Sequence, residues 1–568
     1  MSSGPATTDV EQQQQGTGQS TNDVKDMVES EYPQGLRMAA IVASLFASIF
    51  IVAVSQTVLA AAIPTITSNF KSNDDVAWYS TGEQVAAVAL LLPFGRMYAL
   101  LNNKWVYIFS VAVYLVGSAI CGAAPTSAVF IIGRTIQGAG LAGVFGGTFI
   151  LIARITPLRT RSLYAGLCGA AYAIAAVVGP VIGGAFTSRV SWRWCFYFNL
   201  PIGAVFLVII FAFLPASLAM DSPELKGKAL LQKVMRFDPL GSLILLSCLV
   251  CLVLALQWGG AQYAWNSGQV IAVLVVFGCT LITWLWLQHK QGDEATVPFS
   301  LVTQRTVAAS TSYLLFLNGS FGIFIFYLPI WFQSLDGDSA EGSGIKQLAL
   351  SISTAISSIV AGGLVAAIGW YNPFLILGPV LSTTGAAMLV KIRPGTSTAY
   401  TIGAQIMGGV GVGVGAEQAN VAVQAVLPPE KISMGTSLTL FTRLLGFALA
   451  VPIGQNVLQQ ALSDRLGVAV AAQIFGRGGV TDIRGNLEII FGAGTPELQG
   501  ALEDFNFALT QTFLVGLVMA AASFPFSLLV EWKCVKKGPK ESGKEEGTDK
   551  TREVTDENME MDDMSGKK

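Results

Sequence analysis

Four charged side chains stand where the sequence is otherwise apolar: Glu83, Arg134, Glu417 and Arg443. A charge at the centre of a bilayer costs at least about 2.5–3.5 kcal/mol, so one that persists there points to function. Arg134 stands in Arg134-Thr-Ile-Gln137-Gly138-Ala-Gly140. An arginine stays protonated, so it cannot itself release a proton; its task is to bias a neighbouring carboxylate or to bond Gln137 and backbone carbonyls across helices. A buried carboxylate can carry a proton, because low dielectric favours its neutral form and a nearby cation favours its charged form. Glu417, at the end of the glycine-rich run Gly408-Gly-Val-Gly411-Val-Gly413-Val-Gly415-Ala-Glu417, is the first candidate carrier. Arg443 lies at matching depth on the next helix, so a permanent structural ion pair is the competing reading. Glu83 is the second candidate, its competing reading being a side chain that reaches the headgroups.

Those residues need a membrane to be unusual in, and the composition supplies one. Of 568 residues 52% are apolar and 12% charged, about half the charged share of a soluble chain. Mean hydropathy is +0.58. A net charge of −2 with no basic face speaks against nucleic acid as a partner. The seven cysteines lie mostly inside apolar runs and lack metal-ligand spacing, and the one histidine, His289, sits at the edge of a run. No nucleotide loop or nucleophile–base pair is visible. The expectation is a protein that is not an enzyme and uses no cofactor or metal.

Fourteen apolar runs follow one another, at roughly 38–63, 76–97, 105–123, 128–152, 162–187, 195–215, 239–258, 269–288, 307–333, 347–368, 373–391, 400–426, 433–456 and 509–531. The first is too long for a signal peptide and reads as a membrane helix. Lys and Arg concentrate in alternate loops (Arg96, Lys104, Arg154, Arg159, Arg161, Lys226, Lys228, Lys233, Arg236), which puts both termini in the cytoplasm. The expected organisation is a disordered tail over 1–37, a six-helix bundle over 38–215 and a cytoplasmic linker over 216–238. Two inserted helices over 239–288 and a second six-helix bundle over 289–531 follow, with an external loop at 457–508 and a disordered tail at 532–568.

Run five, Ser162 to Ser188, is uncharged and crowded with glycine and alanine, and carries Gly179-Pro180-x-x-Gly183-Gly184. In water this would be a poor helix. In lipid small residues let backbones approach closely, and neighbours re-satisfy groups freed at a proline. The stretch is expected to be packed against on several sides and to bend near Pro180.

Arg134-x-x-Gln137-Gly138 followed by Gly179-Pro180-x-x-Gly183-Gly184 resembles the signature motifs of antiporters of the major facilitator superfamily. Trp192-Arg-Trp-Cys-Phe-Tyr-Phe-Asn199-Leu-Pro201-Ile-Gly203, Tyr327-Leu-Pro329-Ile-Trp-Phe-Gln333 and Ala422-Val-Gln424-Ala-Val-Leu-Pro428 are similar to marks of its fourteen-helix drug:proton branch, in the fungal toxin-efflux members. The resemblance spans about 38–531. It implies an all-α transmembrane fold of two six-helix bundles plus two inserted helices, fourteen in all, with a midplane substrate site and alternating access. It implies that Arg134 serves proton coupling and that Gly179, Pro180, Gly183 and Gly184 lie at the interface of the two halves. In Val54-Ser55-Gln56-Thr57 the family usually has Asp where Ser55 stands, and Ala99 replaces an acidic residue after run two. The proton-carrying carboxylate has then moved, or coupling is weaker.

The function expected is proton-coupled export of a bulky, largely apolar small molecule such as a toxin, secondary metabolite or drug. The alternative is a passive uniporter or transporter-like sensor. The substrate and proton pathway is expected to use Glu417, Arg443, Glu83, Arg134, Gln137, Ser55 and Gln56. The partners are the small molecule, protons and the lipid bilayer around a monomer, in the plasma membrane or alternatively a vacuolar or vesicle membrane.

Overall fold

A computed structural model describes residues 35–536 apart from 71, 73–74, 215–237, 261–262, 293–294 and 477–482. Both tails beyond it and most of the 216–238 linker lie outside the described residues. What is described is helical. The long helices are α1 (Gly35–Phe70), α2 (Val76–Leu100), α3 (Asn103–Ala123), α4 (Ser127–Ile155), α5 (Leu158–Arg189) and α6 (Asn199–Phe213, entered through a helical turn at Trp194–Tyr197). They continue as α7 (Pro239–Trp258), α8 (Gly268–Gln291), α9 (Arg305–Trp331), α10 (Ala340–Ile368), α11 (Asn372–Val390), α12 (Thr398–Val426), α13 (Pro429–Leu466) and α14 (Pro496–Leu529).

Eleven of the described helices have the length and apolar composition to cross a membrane. Of the other three long helices, α2 and α12 carry the buried Glu83 and Glu417, and α5 is crowded with glycine and alanine. Helix starts follow the caps written in the sequence: Thr126, Ser267, Ser397 and Thr495 each accept a hydrogen bond from a backbone N–H of the first turn. Asp238 caps α7 from a left-handed conformation (φ 53°), ahead of Pro239.

The fold is that of two six-helix halves, α1–α6 and α9–α14, with the α7–α8 pair inserted between them. In the first half α4 packs between α2 and α3, and α1 packs along α5; in the second, α12 packs between α10 and α11, and α9 lies against α13 and α14. The halves meet along two seams, α5 with α10 and α2 with α13. Both seams are tight at the same end of the molecule. There Gly95 of α2 abuts Ser437 of α13, Gly166 of α5 abuts the Ser358 carbonyl of α10, and Gly362 abuts the Ser162 carbonyl. Arg159 Nε donates to the Ala366 carbonyl at 3.2 Å across the same seam. At the opposite end α7 straddles the halves: Gln257 donates to Thr81 of α2 at 3.0 Å, and Asn456 of α13 donates to the Leu256 carbonyl at 2.8 Å.

The 457–508 segment is more ordered than the apolar runs suggested. Helix α13 continues to Leu466 and α14 begins at Pro496. Between them two short helices, Val468–Gly476 and Ile483–Phe491, bury Ile474, Ile483 and Leu487 in the cluster that holds Leu462 and Phe505. A window tuned to wholly apolar spans misses helices that bury one face only.

Candidate functional site

The first polar centre is built on glycine. A Cβ at Gly138 of α4 would overlap the backbone of Glu83 on α2, and one at Gly117 would overlap the backbone of Gln137. Without those side chains α2, α3 and α4 approach backbone to backbone, which brings Arg134 beside Glu83. Arg134 Nη2 is paired with Glu83 Oε2, both side chains being 1% exposed. Its Nε donates to the Tyr79 carbonyl at 2.8 Å and its Nη1 to Gln137 Oε1 at 2.9 Å. The Phe196 ring centroid lies 5.9 Å from the guanidinium carbon.

The network then runs on to α1. Gln137 Nε2 donates to Ser55 Oγ at 2.9 Å, Asn199 Nδ2 reaches the same oxygen at 3.5 Å, and Asn199 also donates to Ser118 at 2.8 Å. Ser55 therefore sits where two amides aim their donors, a position that suits an acceptor. Glu83, for which reaching the headgroups was the competing reading, is buried and paired. Its second oxygen, Oε1, has no hydrogen-bond partner among the described residues.

The second centre lies in the other half. Alternate glycines of α12 face different neighbours: Gly409 and Gly413 meet the backbone of α10 at Leu350 and Thr354, while Gly411 meets Ser382 of α11. Four residues beyond Gly413 on the α10-facing stripe stands Glu417. Its Oε1 accepts from Arg443 Nη1 at 2.7 Å. The matched depths read from the sequence do produce a pair, but an asymmetric one. Glu417 is 2% exposed and its Oε2 is buried without a partner among the described residues, whereas Arg443 is 21% exposed.

On α5, Tyr172 is exposed although it lies mid-helix, and its hydroxyl donates to Gln56 Oε1. Sequence reading gave Tyr172 and Ser118 no role and named Asn199 only within a family mark, because hydroxyls and amides in apolar runs carry no cost signal comparable to a charge.

In the conformation described, the glycine–proline stretch packs chiefly on α1. A Cβ at Gly179 would overlap Thr57 on α1, so this part of α5 packs inside its own half. Gly183 is buried, its carbonyl 4.0 Å from Cys195 Sγ, while Gly184 is exposed with no neighbour within 4 Å of where a Cβ would stand. The Pro180 side chain lies outside the described residues. The inter-half face of α5 is its other end, Ser162–Gly169.

Arg193 explains one of the sequence marks in structural terms. It donates to the carbonyls of Gly122 and Ala124 at 2.9 and 2.8 Å, closing the carboxyl end of α3, and stacks over Trp192 at 4.5 Å. Among the described residues no group of three His, Cys, Asp or Glu side chains gathers as a metal site.

Comparison with known proteins agrees with this architecture. The human organic anion transporter MFSD10 shares it at a TM-score of 0.54 and 14% identity, covering 86% of this chain and all of that one. The proton:xylose symporter XylE does so at 0.53 and 12%, covering 87% and 96%. At such identities the likeness concerns the fold alone. In sequence, the MFS-type efflux pump MFS1 of Arthroderma benhamiae is 40% identical over 507 residues, 88% of this chain and 92% of the pump. The efflux pump aflT of Aspergillus parasiticus is 37% identical over 516 residues, 89% and 98% of the respective chains. The sequence model of the Major Facilitator Superfamily matches residues 45–451. With half of the chain and more inside that match, and its helices arranged in two halves around paired buried charges, this multi-pass membrane protein belongs to the major facilitator superfamily.

Proposed function

We propose that this transporter exports a bulky, largely apolar small molecule in exchange for protons, with Glu417 as the proton carrier and Arg443 as the cation that governs it. The observation that carries the reading is the asymmetric pair: a buried carboxylate with one free oxygen, held by an arginine that is partly exposed beside the seam between the halves. If Arg443 withdraws as the halves rock, Glu417 loses the charge that favours its ionised form and takes up a proton; if Arg443 returns, the proton leaves. The efflux-pump names of relatives at 37–40% identity support the direction of transport.

The Lys/Arg asymmetry supports cytoplasmic termini. The tight end, with Gly95, Arg159 and Ser162, is then cytoplasmic, and the conformation described is closed to the inside. Gln56 and Tyr172, bonded to each other, supply polar contacts to a substrate that is otherwise held by shape. Arg134, with Glu83, Gln137 and Ser55, ties α4 to α2 and α1 within the first half. Gly179 packs α5 on α1, and Gly183 is buried with its carbonyl toward Cys195. The 38–215 and 289–531 segments act as the two rocking units in the plasma membrane.

Reconstituted protein should accumulate substrate against its gradient only when a pH gradient of the right sign is imposed, and a protonophore should abolish the accumulation. Substrate movement indifferent to the pH gradient would favour a passive uniporter.

A further inference from the structure

Helices α5 and α10 cross at backbone contact. Gly166 faces the Ser358 carbonyl, and Gly362 faces the Ser162 carbonyl and the Leu163 Cα; a Cβ at either glycine would overlap main chain. One turn beyond Gly166 is Gly169. A Cβ there would stand 2.9 Å from Ser358 Oγ and 3.4 Å from Glu417 Oε1. Both Ser358 Oγ and Glu417 Oε2 are buried and unpartnered among the described residues. Glu417 belongs to the second half, Gly169 to the first, so the carboxylate is roofed by a helix of the opposite half.

We infer that this glycine crossing is the proton gate: while α5 lies on α10, Gly169 shields Glu417 from the tight end, and separation of the crossing opens the carboxylate to that end. The inference rests on Glu417 being the proton carrier. The groups facing Glu417 fit a gate. Arg443 comes from α13 and bonds Glu417, Gly169 comes from α5, and α10 brings the Ser358 hydroxyl to the same glycine. From α9 the Tyr313 hydroxyl abuts Gly415, two residues before Glu417. Apart from Arg443 no permanent charge competes for the carboxylate among these, so its surroundings are set by whether α5 covers it. One seam then decides both which side the substrate leaves by and which side the proton enters from, and that coupling is what exchange requires.

The test is proton leak. Gly362→Ala forces main chain apart at the crossing, and Gly166→Ala does so from the other helix, so either variant that inserts serves. In liposomes carrying an entrapped pH dye and no substrate, the inserted variant is expected to dissipate an imposed pH gradient several-fold faster than the parent. Adding Glu417→Gln to the same variant should return the leak to the parental rate. A parental leak rate in an inserted Gly362→Ala or Gly166→Ala protein would overturn the gate, and so would a leak that survives Glu417→Gln. Failure of the underlying reading looks different: Glu417→Gln alone would then keep gradient-driven transport.

Discussion

The two Arg–Glu pairs share a design and differ in their setting. Each joins two helices of one half, and the first rests on Gly138, which lets its two helices touch. Arg134 is 1% exposed and uses its fork on Glu83, Gln137 and the Tyr79 carbonyl, with Phe196 beside it. Arg443 is 21% exposed and its one described bond goes to Glu417, whose roof is a helix of the other half. On the proposed mechanism, a cation held from several sides in the interior of one half stays in place when the halves rock, and a cation held by one bond beside the seam is the one that can move. Burial of the carboxylate is common to both pairs, and on that mechanism the number of bonds and the position relative to the seam separate a fixed centre from a switchable one.

Breaking each pair from the arginine side should expose the difference most strongly. Arg134→Ala leaves Glu83 uncompensated in the interior and is expected to destabilise the protein by about 3–5 kcal/mol. Arg443→Ala should cost less than half as much while abolishing gradient-driven transport. Thermal unfolding of the detergent-solubilised variants measures both, and equal losses would erase the distinction.

A gentler probe keeps the charge and removes the fork. Arg134→Lys forfeits the simultaneous bonds to Tyr79, Gln137 and Glu83, at a cost of about 1.5–3 kcal/mol, and turnover should fall with the protein still inserted. Parental turnover would reduce Arg134 to a point charge.

The two ends of the glycine–proline stretch sharpen the same contrast between packed and free positions. Gly179→Leu has no room beside Thr57 and should abolish transport in protein that still inserts, whereas Gly184→Leu faces open space and should transport at the parental rate. Initial uptake rates normalised to membrane protein would show it. The smallest expected effect belongs to Ser55→Ala, which removes the acceptor for Gln137 and Asn199 and should cost about 0.5–1.5 kcal/mol without changing the pH dependence of transport.

The sequence exposed charges because a charge in an apolar run is costly wherever it ends up, so Glu83, Arg134, Glu417 and Arg443 were visible at once. It exposed the helices for the same reason, down to α5 and α12, whose glycine content marks packing rather than weakness. It did not show who partners whom across the bundle. The pairing of Arg134 with Glu83 depends on Gly138 meeting the Glu83 backbone, a contact between residues 55 apart that no local pattern encodes. Nor did it show which end of α5 meets the other half in the conformation described. Gly166 and Gly179 look equivalent as letters, yet one faces α10 of the other half and the other faces Thr57 of its own.

The most direct test of Glu417 as the switchable centre is Glu417→Gln, alone and combined with Arg443→Gln, assayed for abundance, gradient-driven accumulation and energy-independent substrate exchange. The account predicts a single variant present in the membrane at near-parental level that has lost accumulation but kept exchange, with the double variant equally unable to accumulate. A single variant that fails to reach the membrane, together with a double variant that regains abundance and gradient-driven transport, would make the pair a structural tie and contradict the account.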